Sequence, residues 1–111
     1  MSPAYAAEVR RVRELGIPTA DIATATGAGR STVTAWARAD RRPGGTYRAR
    51  LLELVALIDR LVKVMTPAHV PVWLHKPLPA LGDERPLDAL AGGRYRQVSR
   101  LVAELENDSF S

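Results

Sequence analysis

The sequence predicts an all-α protein: two short helices joined by a tight turn, then a long helix, then a small helical domain. Three observations carry this prediction. No segment alternates apolar and polar residues for more than a few positions, so strand signals are almost absent. Ala, Leu, Arg and Glu, all good helix formers, dominate the chain. Apolar residues recur at helical spacing between Gly- and Pro-rich breaks.

Taken in order, a first helix runs from about Pro3, a residue suited to an opening turn, to Leu15, with Gly16 as its stop. Tyr5, Val9, Val12 and Leu15 share one of its faces. A short helix over about Thr19 to Thr26 follows Pro18, Gly27-Ala28-Gly29 makes a tight turn, and a second short helix runs from Arg30 to about Ala39. Asp40-Arg41-Arg42-Pro43-Gly44-Gly45 then breaks the chain. Thr46 is expected to cap a longer helix that reaches Met65. Leu51, Leu54, Val55, Ile58, Leu61, Val62 and Met65 form its stripe, and Leu52, Leu57 and Val64 widen it. Only Arg50, Glu53, Asp59, Arg60 and Lys63 remain as a polar strip. So wide an arc predicts more than one packing neighbour and suits a second protomer, although a small domain folded around a central helix has the same pattern. Five of the eight prolines, Pro67, Pro71, Pro77, Pro79 and Pro86, cut the next stretch into one- or two-turn helices. A last helix is expected from Arg94 to Glu106, with Tyr95, Val98, Leu101, Val102 and Leu105 inward and a polar tail beyond. The organisation is thus 1–45, 46–65 and 66–111.

At 111 residues the chain holds one domain, or two very small ones sharing a core. Aromatics are 5%, so aliphatic side chains must fill that core. Cys is absent, which excludes disulfides, thiol catalysis, zinc knuckles and iron–sulfur ligation. No run approaches 18 apolar residues, and Met1-Ser2-Pro3-Ala4 opens no signal peptide, so a soluble, cytoplasmic protein is expected. Residues 1–50 hold nine Arg and four acids, +5; residues 51–111 hold seven Lys or Arg and eight acids, −1; the sum is the formal +4. The basic excess lies wholly in the first half and suggests a polyanion partner there. A coding bias toward Arg, which supplies 14 of the 16 basic residues, produces the same excess, so motifs must decide.

The segment from Ile17 to Arg38 decides for nucleic acid. Two short helices that pack closely need a small residue where their backbones approach, and Ala23 supplies it. Four residues later Gly27 can take the left-handed conformation that ends the first helix. Val33 and Trp36, three apart, return the second helix onto Ile22 and Ala23, so Trp36 is read as core and not as a stacking platform. This spacing resembles the helix-turn-helix of the Xre/Cro-repressor-like DNA-binding family, with Ala28 standing where a larger aliphatic is usual. In that geometry the second helix enters the major groove. Arg30, Ser31, Thr34 and Arg38 then face the bases or phosphates, and Arg41, Arg42, Arg48 and Arg50 are expected on the DNA backbone. A solvated face is the plain alternative for each arginine. A phosphate-loop reading of Gly27 to Thr32 fails, because its first glycine falls at Thr24 and Arg30 stands where Lys is needed.

In the second half, Val72-Trp73-Leu74 ending one short helix, a Pro-bounded turn, Leu81-Gly82, then Arg85-Pro86-Leu87-Asp88 opening another helix form one connected pattern. It resembles the toxin-binding domain of the Xre/MbcA/ParS antitoxin family, and with the upstream motif the resemblance covers nearly the whole chain. One departure is the tail, where Asn107-Asp108-Ser109 stands in place of a glycine before the aromatic Phe110. The resemblance implies an antitoxin that neutralises a RES-domain, NAD⁺-consuming toxin encoded beside it and represses its own operon as a dimer within a larger complex. Trp73, Leu74 and the stretch Asn107, Asp108, Ser109, Phe110 and Ser111 become the candidate toxin-binding residues, although core packing is the first reading of the Trp73 indole. The C-terminal end would obstruct the toxin's active site.

The residues themselves show no catalytic constellation. His69 and His75 have no cysteine beside them to make a metal site. Adjacent Asp83 and Glu84 suggest capping near Pro86 and not paired acid–base work. Ser31, Ser99 and Ser109 lack an activating base that spacing reveals. Neither enzyme activity nor a cofactor is therefore expected. The rival reading is a free-standing transcriptional regulator whose second half dimerises or senses a ligand.

Overall fold

The structure is a computed structural model that describes residues 2–109. Among these the chain forms seven α-helices: α1 (Ala4–Glu14), α2 (Thr19–Thr26), α3 (Arg30–Ala37), α4 (Gly45–Leu61), α5 (His69–Leu74), α6 (Pro86–Ala91) and α7 (Tyr95–Ser109), with a 3-10 turn at Pro79–Leu81. The nearest thing to a strand among them is an isolated bridge between Leu78 and Glu84, which closes the Pro-rich loop. The all-α class is as the sequence predicts.

Local chemistry explains the helix ends. α2 stops where Gly27 turns left-handed at φ 81° and its N–H bonds the Ala23 carbonyl. Thr26 braces this turn: its buried hydroxyl donates to the Ile22 carbonyl at 2.7 Å and accepts from the Ala28 N–H at 3.4 Å. α3 ends at Ala37, two residues before the apolar pattern gives out. There Ala39 turns left-handed at φ 62°, its N–H bonds Trp36, and the Asp40 N–H bonds Ala35, a Schellman closure without a glycine.

Three further boundaries differ from expectation. Thr46 is not the cap of α4, because that helix already begins at Gly45 behind Gly44. α4 ends at Leu61 and not Met65, the chain passing through turns before Pro67. α7 continues past Glu106 to Ser109, so Asn107, Asp108 and Ser109 are its last turn and not a free tail. No Gly or Pro interrupts that stretch, and the fading of the apolar spacing after Leu105 is not a stop signal. Phe110 and Ser111 lie outside the described residues.

One continuous core runs through the molecule, from Val9, Val12 and Ile22 through Leu54, Leu57 and Ile58 to Leu87, Val98 and Val102. α3 packs against α1 and α2, and α1 and α2 both pack against α4. α2 also packs against α6, α4 against α7, and α6 against both α5 and α7. Most of the wide apolar arc is therefore satisfied within the chain: Leu51, Leu54, Val55, Leu57, Ile58 and Leu61 are buried, and Leu52 alone of α4's leucines stays largely exposed.

The polar strip of α4 is structural too. Arg60 donates to both carboxylate oxygens of Glu106 and to the Ser99 hydroxyl, fastening α7. Asp59 accepts from Arg11 at 2.8 and 3.2 Å, fastening α1.

Candidate functional site

α3 presents two faces. Val33, Trp36 and Ala37 are buried. Arg30, Thr34 and Arg38, spaced four apart, lie on the other side with Ser31, and Arg30, Ser31 and Arg38 are exposed. At the head of this face an open cleft is walled by small residues, Ala20, Ala23, Gly27 and Gly29 among them, with Thr24 and Arg30 on its rim. The packing of Trp36 sets the angle of α3: its indole is 1% exposed and meets the Tyr47 ring at a centroid distance of 6.1 Å, tilted 55°. Arg30, Arg38, Arg41 and Arg42 are exposed and make no side-chain hydrogen bond or ion pair among the described residues.

The other arginines expected on DNA divide. Arg42 and Arg48 line a groove between α1 and α4 that shares no lining residue with the cleft at Arg30. Arg50 is withdrawn from any such role. Its side chain is half-buried and donates to the Ala91 carbonyl at 3.1 Å, at the C-terminus of α6. Its guanidinium sits between two left-handed glycines, and a Cβ on Gly93 would lie 3.2 Å from one of its nitrogens. The spacing of the basic residues does not distinguish this clamp from an exposed cation.

A polar chain joins the two halves. A guanidinium only donates, so Arg85 gives to His75 Nδ1 at 2.9 Å, and His75 Nε2 therefore carries the proton and donates to Asp21 Oδ2 at 2.9 Å. Asp21, on α2, is buried. Arg85 also grips Asp88 with two bonds of 2.8 and 2.7 Å, which hold the Asp88 carboxyl below its ordinary pKa. Spacing along the chain carries no direct sign of this connection, since Asp21, His75 and the Arg85–Asp88 pair come from three separate segments. The expected capping role of Asp83 and Glu84 is replaced as well: Asp83 takes a left-handed turn position, and Glu84 pairs with Arg94. Ser99, read only as lacking a base, accepts from Arg60. No group of three or more His, Cys, Asp or Glu that could hold a metal occurs among the described residues.

Of the candidate toxin-binding residues, Trp73 and Leu74 are buried in the core on the inner face of α5, where packing accounts for them, and the exposed apolar residue of that helix is Val72. Asn107 and Asp108 are exposed on the last turn of α7. No helix among the described residues is long and apolar enough to cross a membrane.

No protein-family model matches the chain. Over 97 residues, 86% of this chain and 81% of the relative, it is 34% identical to a probable mycobacterial cidal antitoxin of Mycobacterium tuberculosis. The chain belongs to the mycobacterial cidal antitoxin family. The mycobacterial cidal antitoxin MbcA of Mycobacterium bovis is 24% identical over 99 residues, 89% of this chain and 88% of the relative. Among solved structures, the M. tuberculosis MbcT–MbcA toxin–antitoxin complex contains a chain that matches at a TM-score of 0.82, with 24% identity and 96% of each chain covered. The seven-helix fold is thus that of this antitoxin family.

Proposed function

We propose that the chain is the antitoxin of a toxin–antitoxin pair, binding its toxin through the second half and operator DNA through α2, the turn and α3. The observation that carries this is the family membership: named antitoxins match along nearly the whole chain, and the matching fold comes from a complex with a toxin. On this reading the toxin is a RES-domain, NAD⁺-degrading protein encoded next to it, and the end of α7 with Phe110 and Ser111 obstructs its active site. The chain is an inhibitor and not an enzyme, needs no cofactor, acts in the cytoplasm and forms a homodimer within the larger complex.

The unpaired arginines support DNA binding. Cations held in internal pairs are not available to phosphates, whereas Arg30, Arg38, Arg41 and Arg42 are. Arg30 at the start of α3 reads a base edge, Ser31 and Thr34 reach a base or phosphate, and the others sit on the backbone. The regions 1–45, 46–65 and 66–111 then serve DNA binding, association and toxin binding, with the core shared between them.

The test is co-expression. The adjacent reading frame should be toxic alone, deplete NAD⁺, and become harmless with this chain. A harmless neighbour would leave a free-standing regulator. In binding assays Arg30→Ala should cost about 1–3 kcal/mol on the operator and relax one base position, while Arg41→Ala with Arg42→Ala should weaken all duplexes alike and lower the salt slope. Equal losses on operator and random duplex for the Arg30 variant would remove its base-reading role.

A further inference from the structure

The antitoxin reading gives 46–65 to association without saying which face of that helix meets the partner. Between the start of α1 and the outer side of α4 lies a groove of about 260 Å³, whose lining includes Tyr5, Glu8, Arg42, Arg48, Leu51 and Val55. Leu52 stands on its lip, 56% exposed. On α4, Arg48, Leu52, Val55 and Asp59 fall within an arc of about 60°, with Arg48 and Asp59 only about 20° apart after three turns. The stripe thus has a cation at its N-terminal end, apolar side chains in the middle and an anion at its C-terminal end. Exposed Ala49 and Ala56 flank Leu52, so nothing bulky keeps another helix away.

A stripe with this order of charges complements itself when reversed. Arg48 has no side-chain partner among the described residues. Asp59 is held in place by Arg11, yet its side chain remains 45% exposed with lone pairs to spare. Two antiparallel α4 helices related by a two-fold axis near Glu53 and Leu54 bring each Arg48 to the partner's Asp59, at both ends at once. Each Leu52 then meets the groove of the other copy, a knob beside a hole. Glu8 and Asp59 alternate here with Arg42 and Arg48, and a surface of mixed sign suits a reversed copy of itself better than a polyanion. We propose that this face is where two copies of the chain meet, by an isologous α4–α4 contact. The proposal rests on the homodimer reading above and supplies its surface.

Sedimentation of the full chain at micromolar concentration tests it. Wild type should run at twice the 12.1 kDa chain mass. Leu52→Glu should run at the single-chain mass with unchanged helical circular dichroism, its dimer dissociation constant raised at least about thirtyfold. Because the chain has no cysteine, Leu52→Cys introduces a single thiol. A short bis-maleimide should link two copies through it, and should not do so through Val72→Cys on α5. A monomeric wild type would overturn the homodimer reading together with this surface. A wild-type dimer that L52E leaves intact, or that L52C fails to cross-link, would overturn the surface alone.

Discussion

Asp21 is the buried carboxylate among the described residues, and its position on α2 means that helix is held by more than apolar contact. Its partner, the His75 side chain, is 43% exposed, so water can replace the bond on the imidazole side if the carboxylate is removed. Asp21→Ala should therefore cost only about 1–2 kcal/mol of unfolding free energy in urea, and a loss above about 3 kcal/mol would mean the whole chain through Arg85 collapses with it. Glu106 makes the other informative test. The Arg60 hydrogen bonds hold its carboxyl below the ordinary range in the folded state. A depressed folded pKa adds stability above the unfolded pKa, and that stability is lost as pH falls through the folded value. Glu106→Gln should thus destabilise at pH 7, and the gap from wild type should close in acid, below the ordinary glutamate range. A gap that stays constant with pH would assign the effect to packing.

At the scale of the element, α7 is where expectation and structure part. The sequence places Asn107 to Ser109 beyond the helix, whereas they form its last turn, so the chain is helical up to Ser109. Strong anchoring contacts lie before it: Val98 and Val102 are buried and Glu106 is gripped by Arg60. Deleting Asn107 to Ser111 should leave the thermal midpoint within a few degrees of wild type, since a few tenths of a kcal/mol shifts it only that far in a chain this size. On the proposed function the same deletion should release toxin activity in co-expression. A truncated chain that still protects cells would put inhibition in the body of the second half. α3 carries the parallel lesson. Its buried and exposed faces follow from spacing alone, but the residues of the basic cluster do not share a fate: Arg30 and Arg38 are open, whereas Arg50 is an internal clamp.

For the whole molecule, the shared core predicts a single cooperative unfolding event. α2 and α4 each pack against both halves, so neither half can open without exposing the other's apolar contacts. The chain carries one tryptophan in each half, Trp36 and Trp73, both buried. Trp36→Phe and Trp73→Phe leave single reporters, and within each variant the fluorescence and circular-dichroism transitions should coincide. Separate transitions within either variant would show that the halves unfold independently.

The all-α class, the limits of α2, the turn at Gly27 and the inward positions Val33, Trp36, Val98 and Val102 were determined by the sequence itself, because helical spacing and left-handed glycine are local properties. The family resemblance was legible for the same reason, being a matter of residues in order along the chain. The tertiary structure alone decided how the wide apolar face of α4 is spent, since periodicity says that a face is buried but not against what. It also decided which charges are free. Asp21, His75 and Arg85 meet across 54 and 10 residues of sequence, and Arg60 meets Glu106 across 46. Such pairs are fixed by the packing of distant helices, and no spacing rule within one segment can register them.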